Sequence, residues 1–301
     1  MISQHKNLIL RARVIKAIRS FFDSRGFLEV ETPLRIPANA PEEYIDPYTS
    51  EGMYLHTSPE ICMKRLLCRG YDNIFQICRC WRSGERGNRH VPEFTMLEWY
   101  RAHSTYYDLM KDCEELLSHV ATECCSTESV SYNSIPLGLN NGIVTITVDE
   151  AFTRYCDVGM KNAVRDGSFD ERMVTQIEPF LAQEKPVILM DYPIEMAALA
   201  RPKSDNPSVA ERFELYVGGL ELANGFSELN DPIEQRKRFV HANLKRAEVG
   251  TSTLPIPEPF LQELAKMPPS AGIALGIDRL VMILADADTI DDVVAFTPEQ
   301  L

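Results

Sequence analysis

The sequence contains no run of about 18 apolar residues, so nothing in it reads as a transmembrane helix. Its opening stretch, MISQHKNLILRAR, lacks the apolar centre and cleavage site of a signal peptide, and the expected location is the cytoplasm. There is no G-x-x-x-x-G-K-[ST] and no G-x-G-x-x-G, so neither a P-loop nor a Rossmann phosphate site is expected. No internal repeat or low-complexity tract is visible. None of the eight cysteines forms a C-x-x-C pair, and no paired-ligand spacing for zinc appears. They are expected to be reduced, mostly in the core. Positive charge is also short: 31 Lys and Arg face 44 Asp and Glu, a net charge of −13. That disfavours a protein whose main task is gripping a nucleic-acid backbone, though a local basic patch stays open.

What is present centres on residues 73–100. Asn73–Arg82 alternates as a strand, with Ile74, Gln76, Cys78 and Cys80 on one face and Phe75, Ile77, Arg79 and Trp81 on the other. Ser83–Asn88 is polar with two glycines and reads as a turn. Phe94–Tyr100 returns extended, which predicts a long hairpin with Arg82, Arg86, Arg89 and His90 crowded at its tip. Phe94, Glu98 and Tyr100 then share one face. Arginine suits bidentate pairing with phosphate oxygens. A solvated basic tip on a surface hairpin is the plain alternative.

Upstream, Leu8–Arg25 reads as an amphipathic helix burying Val14, Ala17, Ile18, Phe21 and Phe22, with Arg11, Lys16, Arg19 and Arg25 outward. Gly26 stops it, and Phe27–Thr32 follows as a strand up to Pro33. Asn39–Tyr54 reads as a loop. A helix is expected over Ile61–Arg69, with Ser58 as its N-cap, Pro59 at its first position and Glu60 in its first turn. Thr105–Cys125 is helical in pattern, Ile143–Val148 is a strand with Asp149 a candidate cap for the next helix, and residues 126–185 carry no legible chemistry. Pro186–Tyr192 is a short buried strand, and Arg201–Ser208 is a polar loop placed to serve as a lid.

Two later segments carry chemistry. Glu214 and Glu221 belong to strands joined near Gly218-Gly219, and such a carboxylate pair beside phosphates would hold Mg²⁺. Glu228, between Phe226 and Leu229, is expected to be buried and to need a cationic partner. Ala271–Leu280 is a small-residue strand running into a helix, where a ligand can approach the backbone. Arg279 falls in the first turn of that helix. A cation there opposes the helix dipole and is better explained by a bound anion.

The order of these segments resembles the three motifs of class II aminoacyl-tRNA synthetases in their lysine-type form. The match is strongest in Arg82–Tyr100 and in Glu221–Pro232, and the resemblance runs from about Leu8 to Phe296. It implies an α+β fold, an antiparallel class II sheet flanked by helices, in a single catalytic domain over 1–301 that forms a homodimer. The helix at Leu8–Arg25 begins close to Met1, and no anticodon-binding barrel is expected. In that respect the chain resembles the elongation factor P–(R)-β-lysine ligase family, as does alanine at Ala274.

The resemblance assigns roles residue by residue. ATP would meet Arg82, Ser83, Gly84, His90, Val91, Phe94, Glu221, Leu222, Asn224, Gly276 and Arg279, with Arg82 and Arg279 acting on the phosphates and Phe94 stacking on adenine. Mg²⁺ would bind Glu214 and Glu221. A lysine-like amino acid would meet Ser58, Pro59, Glu60, Glu98, Tyr100 and Glu228. Elongation factor P would be the acceptor, with no tRNA and no membrane partner. Two departures stand out: the family's Arg-x-Glu reads Arg82-Ser83-Gly84 with the acid moved to Glu85, and its His-Asn-Pro-Glu-Phe reads His90-Val91-Pro92-Glu93-Phe94. Either Glu85 or Asn88 substitutes, or ATP binding is weaker. A free-standing lysine-adenylating enzyme, a truncated lysyl-tRNA synthetase and a catalytically silent lysine-binding paralogue are the rival readings.

Overall fold

The computed structural model describes residues 2–125 and 130–301; residues 126–129, the start of the segment read as silent, lie outside the described residues. Its centre is an eight-stranded sheet. In chain order the strands are β1 (Leu28–Glu29), β2 (Asn73–Trp81), β3 (Glu93–Ala102), β4 (Val144–Thr147), β5 (Val187–Met190), β6 (Arg212–Val217), β7 (Leu220–Ser227) and β8 (Ser270–Gly276). In space they run β1-β2-β3-β8-β7-β6-β5-β4. The six inner strands pair antiparallel, and each edge adds one parallel pair, β1 with β2 and β4 with β5. The fold is α+β as expected, with parallel edges the alternation did not reveal.

The period of two sorts the central strands. Phe75, Leu97, Trp99, Ile273, Leu275, Phe213 and Leu215 join the main apolar core, together with Val14, Ile18, Phe21 and Phe22 of helix α1 (Ile2–Asp23) and with helix α3 (Tyr106–Cys124). The other face of β3 carries Phe94, Met96, Glu98 and Tyr100 toward an open cavity. Beyond Tyr100, a second apolar cluster includes Ile61, Met63 and Leu67 of helix α2 (Glu60–Leu67) with Phe239 and Phe260, and closes that end of the sheet.

Several local expectations are corrected. Arg11 does not face solvent: its guanidinium pairs with buried Asp278 and donates to Thr95 Oγ1 at 2.6 Å, tying α1 to β3. The strand after Gly26 is only Leu28–Glu29, because two residues suffice to pair with Ile74 and Phe75. Residues 39–54 are not all loop, since Thr49–Ser50 and Met53–Leu55 pair in a small sheet with Arg35–Ile36. Asp149 does not cap its helix. Thr147 does, in a capping box with Glu150. Ser58 does not cap α2; the helix begins one residue later, with Pro59 at the cap position and no side-chain cap bond. Proline supplies no N–H there, so a side-chain cap has one donor fewer to satisfy.

Candidate active site

The cavity lies on the even-numbered face of β3 and has a volume of about 290 Å³, at the lower end of the usual range for small-ligand sites. Register fixes its floor. Gly272 pairs with Tyr100, Ala274 with Glu98 and Gly276 with Met96, while Ala274 also pairs with Asn224 on β7. Three small residues therefore alternate along the face beside an aromatic, a carboxylate and a thioether. A Cβ on Gly272 would lie 2.2 Å from Tyr100 Cε1 and 2.5 Å from Glu228 Oε1. Gly272→Ala is expected to push both groups out of place and to lower amino-acid-dependent activity by at least about 100-fold, a misplacement cost typical of such sites. An alanine enzyme with near-normal amino-acid KM would contradict this.

One end of the cavity is basic. Arg82 follows the end of β2, and its guanidinium carbon sits 5.2 Å from the centre of the Phe94 ring. Its Nε is buried with no hydrogen-bond partner among the described residues. Arg279, in the first turn of the helix Ile277–Ala285, donates to Glu221 O at 2.7 Å and lies 2.5 Å from His90 Nε2. Burial and then the Arg279 charge hold His90 below its ordinary pKa, so it accepts from Arg279 as a neutral ring. Glu85 approaches Arg82 at 3.9 Å and lines the cavity, which returns an acid to the motif that Gly84 had lost. Val91 is buried on the same wall, and Leu222, Asn224 and Gly276 line it too. Ser83 and Gly84 stand outside it, with Ser83 N bonded to Asp46 O at 2.7 Å. Arg86 is turned away from the basic cluster, paired with Asp291 and Glu299. Glu214 is saturated, accepting from Arg212 at 2.6 Å, Tyr192 at 2.6 Å and Tyr216 at 2.7 Å. Burial and then the Glu214 charge raise the pKa of Glu221.

The other end is acidic and deep. Glu60 and Ser58 line the cavity, and Pro59 does not. Glu98 is buried and accepts from Tyr100 Oη at 2.5 Å, but its second oxygen has no partner among the described residues. Glu228, with 1% exposure, lies behind Gly272, and its Oε1 is also without a hydrogen-bond partner. Burial and then Glu60 hold Glu98 well above the ordinary carboxylate range.

Sequence reasoning missed two residues here. Lys64 Nζ is buried and lies 2.5 Å from both Glu60 and Glu228. Burial works against its charge, but Glu228 and Glu60 outweigh that and raise its pKa. The signal was the i,i+4 spacing from Glu60, which ordinarily marks an exposed helix pair. Glu42 also lines the cavity; burial, then Glu60, push its pKa to about 7. It came from the stretch read only as a loop. Buried Arg246 bonds the carbonyls of Glu42 and Ile45 at 3.0 and 3.1 Å and holds that loop in place.

These carboxylates give the site a pH signature. Glu42 titrates at about 7 and Glu228 at about 8, burial being the first cause for each, against an ordinary 4.5. A raised carboxylate carries no penalty below its unfolded pKa and opposes folding increasingly as pH rises through the folded value. The unliganded protein should therefore melt lower at about pH 8.5 than at about pH 6. A ligand bearing ammonium groups favours the ionised forms, so KM for such a substrate should fall over the same interval. Thermal melts and KM–pH profiles check both, and a flat profile would contradict the assignment.

Comparison with known proteins agrees with this geometry. The sequence profile of the tRNA synthetases class II (D, K and N) matches residues 2–300. The elongation factor P–(R)-β-lysine ligase of Pectobacterium atrosepticum is 41% identical, over 98% of this chain and 95% of that protein. The chain belongs to the elongation factor P–(R)-β-lysine ligase family. The ligases of that name from Erwinia tasmaniensis and Edwardsiella ictaluri are 41% and 39% identical, again over 98% of this chain and 95% of theirs.

Proposed function

We propose that this chain is an ATP-dependent ligase that activates (R)-β-lysine as an aminoacyl-adenylate and transfers it to a lysine side chain of elongation factor P. The observation that carries this is the polarity of one cavity: the Arg82 Nε–H without an acceptor among the described residues at one end, and at the other Glu98 Oε2, likewise without a donor, with Glu228 Oε1 just behind Gly272 of the cavity wall. A diamino acid supplies ammonium groups to the second and ATP supplies phosphates to the first.

In this reading Phe94 stacks on adenine, and Arg82, His90 and Arg279 hold the phosphates, with Val91, Leu222, Asn224 and Gly276 shaping the nucleotide wall. Glu60 holds the amine nearer the carboxylate, with Ser58 beside it and Pro59 setting the turn. Glu98, Tyr100 and Glu228 hold the far ammonium, while Lys64 keeps Glu60 and Glu228 paired between turnovers. The amino-acid carboxylate attacks the α-phosphorus and pyrophosphate leaves. The acceptor's amine then attacks the carbonyl of the mixed anhydride and AMP leaves. No protein nucleophile is needed, and positioning with electrostatic stabilisation at Arg82 supplies the rate. Mg²⁺ would neutralise phosphate charge. Glu221, whose raised pKa reflects its crowding by Glu214, suits it, and the saturated Glu214 supports it by charge.

We further read 1–301 as one catalytic domain, because the central sheet takes strands from both ends of the chain. A cytoplasmic homodimer that does not use tRNA as acceptor completes the proposal, in keeping with the net charge of −13; no helix among the described residues is long and apolar enough to cross a membrane. Ala274 stands beside Glu98 on the floor. One methyl in such a pocket is worth about 1–3 kcal/mol, and Ala274→Gly should shift the ratio of kcat/KM toward α-lysine by about tenfold. An unmoved ratio would place the choice elsewhere. The overall function is tested by the intact mass of elongation factor P after incubation with ATP and either lysine or β-lysine. One β-lysyl adduct per molecule supports it, and an unmodified factor with robust charging of lysine tRNA would replace it with the truncated-synthetase reading.

A further inference from the structure

Outside the catalytic groups, one cluster has no role in the reaction above. Cys78 and Cys80 are two residues apart on β2, so both thiols project from the same face. His56 runs alongside, since its backbone N donates to Leu34 O at 2.9 Å and its carbonyl accepts from Trp81 N at 3.1 Å. Cys80 Sγ is 3.9 Å from Cys78 Sγ, 3.9 Å from His56 Nε2 and 4.0 Å from Met96 Sδ. The His56, Cys78 and Cys80 donor atoms all lie within 4.8 Å of one another. Both cysteines are free thiols. The absence of any C-x-x-C spacing hid this cluster, because strand geometry brings C-x-C together and the imidazole arrives from another segment.

We propose that His56, Cys78 and Cys80 bind one thiophilic d¹⁰ cation, Zn²⁺ or Cu⁺, with the Met96 sulfur beside it. Metal–sulfur bonds of about 2.3 Å and metal–nitrogen bonds of about 2.0 Å separate tetrahedral ligand atoms by roughly 3.5–3.8 Å. The Cys78–Cys80 and Cys80–His56 gaps need to close by only a few tenths of an ångström, and the Cys78–His56 gap, within 4.8 Å, by no more than about 1.3 Å. Two thiolates with one imidazole select soft and borderline cations over Mg²⁺ or Ca²⁺. Cys80 and His56 are buried and Cys78 is half-buried, so entry is past Cys78. Two thiol protons leave to solvent on binding. In the metal-free form His56 Nε2–H donates to Arg79 O at 2.7 Å. The cation takes the Nε2 lone pair of the other tautomer, with the proton moved to Nδ1, and that hydrogen bond is exchanged for a metal bond.

The site joins two parts of the cavity wall. His56 leads into Ser58 and Glu60, while Cys80 pairs with Phe94 and Cys78 with Met96 across the hairpin. A bound ion would staple the segment carrying Glu60 to the strand pair carrying Phe94.

The test uses full-length protein, stripped by chelator and kept reduced, titrated separately with Zn²⁺ and Cu⁺ against a chromophoric competitor. One equivalent of either cation is expected, with a rise in melting temperature of about 5 °C at saturating metal. Co²⁺ should give a thiolate charge-transfer band. Cys78→Ser and Cys80→Ser should each weaken binding beyond the roughly 10–100-fold that outer-shell changes cost, and metal-free melts establish that the variants fold. In the wild type, bound metal should protect Cys78 from iodoacetamide, read by peptide mass. Failure of the wild type to take up a stoichiometric equivalent of either ion, or equal uptake by the double serine variant, overturns the proposal. Because uptake is read without turnover, this result is separate from whether the cavity makes an adenylate.

Discussion

Arg82→Ala and Arg279→Ala should each lower pyrophosphate exchange by about 100- to 1000-fold, the loss expected when one donor to developing charge is removed. Arg82 has a buried Nε–H with no acceptor among the described residues, and it lies against the Phe94 ring. A buried guanidinium donor left unmatched is costly to folding unless something else recovers the loss. In the proposed reading a phosphate oxygen is that acceptor. Arg279 sits at a helix start, where its charge opposes the dipole. Its contacts to Glu221 and His90 are at the half-exposed mouth of the cavity. Neither arginine contributes much to the fold, so melting temperatures should change by no more than about 2 °C. Near-normal exchange by either variant would remove it from the nucleotide site. A large fall in melting temperature would make its role structural.

The second large effect is expected at Glu228. Replacement by Gln keeps shape and volume but removes the ionisable carboxyl that Lys64 contacts at 2.5 Å and that, in the proposed reading, also pairs with a substrate ammonium. Breaking one partner of a buried, hydrogen-bonded charge pair costs about 2–5 kcal/mol in binding. KM for a lysine-like substrate should therefore rise by about 100-fold or more, while KM for ATP stays within about threefold. Lys64 makes this variant informative in a second way. With Glu228 neutralised, Lys64 retains only Glu60, so the raised pKa of Lys64 should fall and amino-acid binding should lose part of its pH dependence. An unchanged amino-acid KM would place Glu228 outside recognition and leave it as a partner for Lys64 alone.

How legible the site was depends on how each residue is brought to it. The hairpin and the Ala271–Leu280 segment were readable because alternation fixes which side chains share a face, and one face of β3 supplies Phe94, Glu98 and Tyr100 together. Glu228 was readable as a buried acid from its apolar neighbours. Its partner was not, since Lys64 lies on another element and its i,i+4 spacing from Glu60 matches an exposed pair. Arg11 failed for the same reason: an outward-facing position on an isolated helix becomes an inward one when a second element, here the start of the helix at Ile277, packs over it. The cap at Pro59 moved by one residue, which local propensity does not resolve. The metal-ligand candidates His56, Cys78 and Cys80 are 22 and 24 positions apart along the chain, and only the pairing of the His56 segment with the end of β2 brings them together.

The central claim is that the cavity recognises two ammonium groups and phosphates at once. Pyrophosphate exchange in the presence of ATP, with β-lysine, α-lysine and norleucine compared, tests it most directly. Norleucine matches the chain length of lysine and ends in a methyl group, so it leaves the far carboxylates unpaired. The account predicts exchange with β-lysine and, more weakly, with α-lysine, and a loss of about 10⁴-fold with norleucine, the discrimination typical of sites built to pair a polar group. Exchange with norleucine comparable to that with either diamino acid would contradict it, as would no exchange with any of the three.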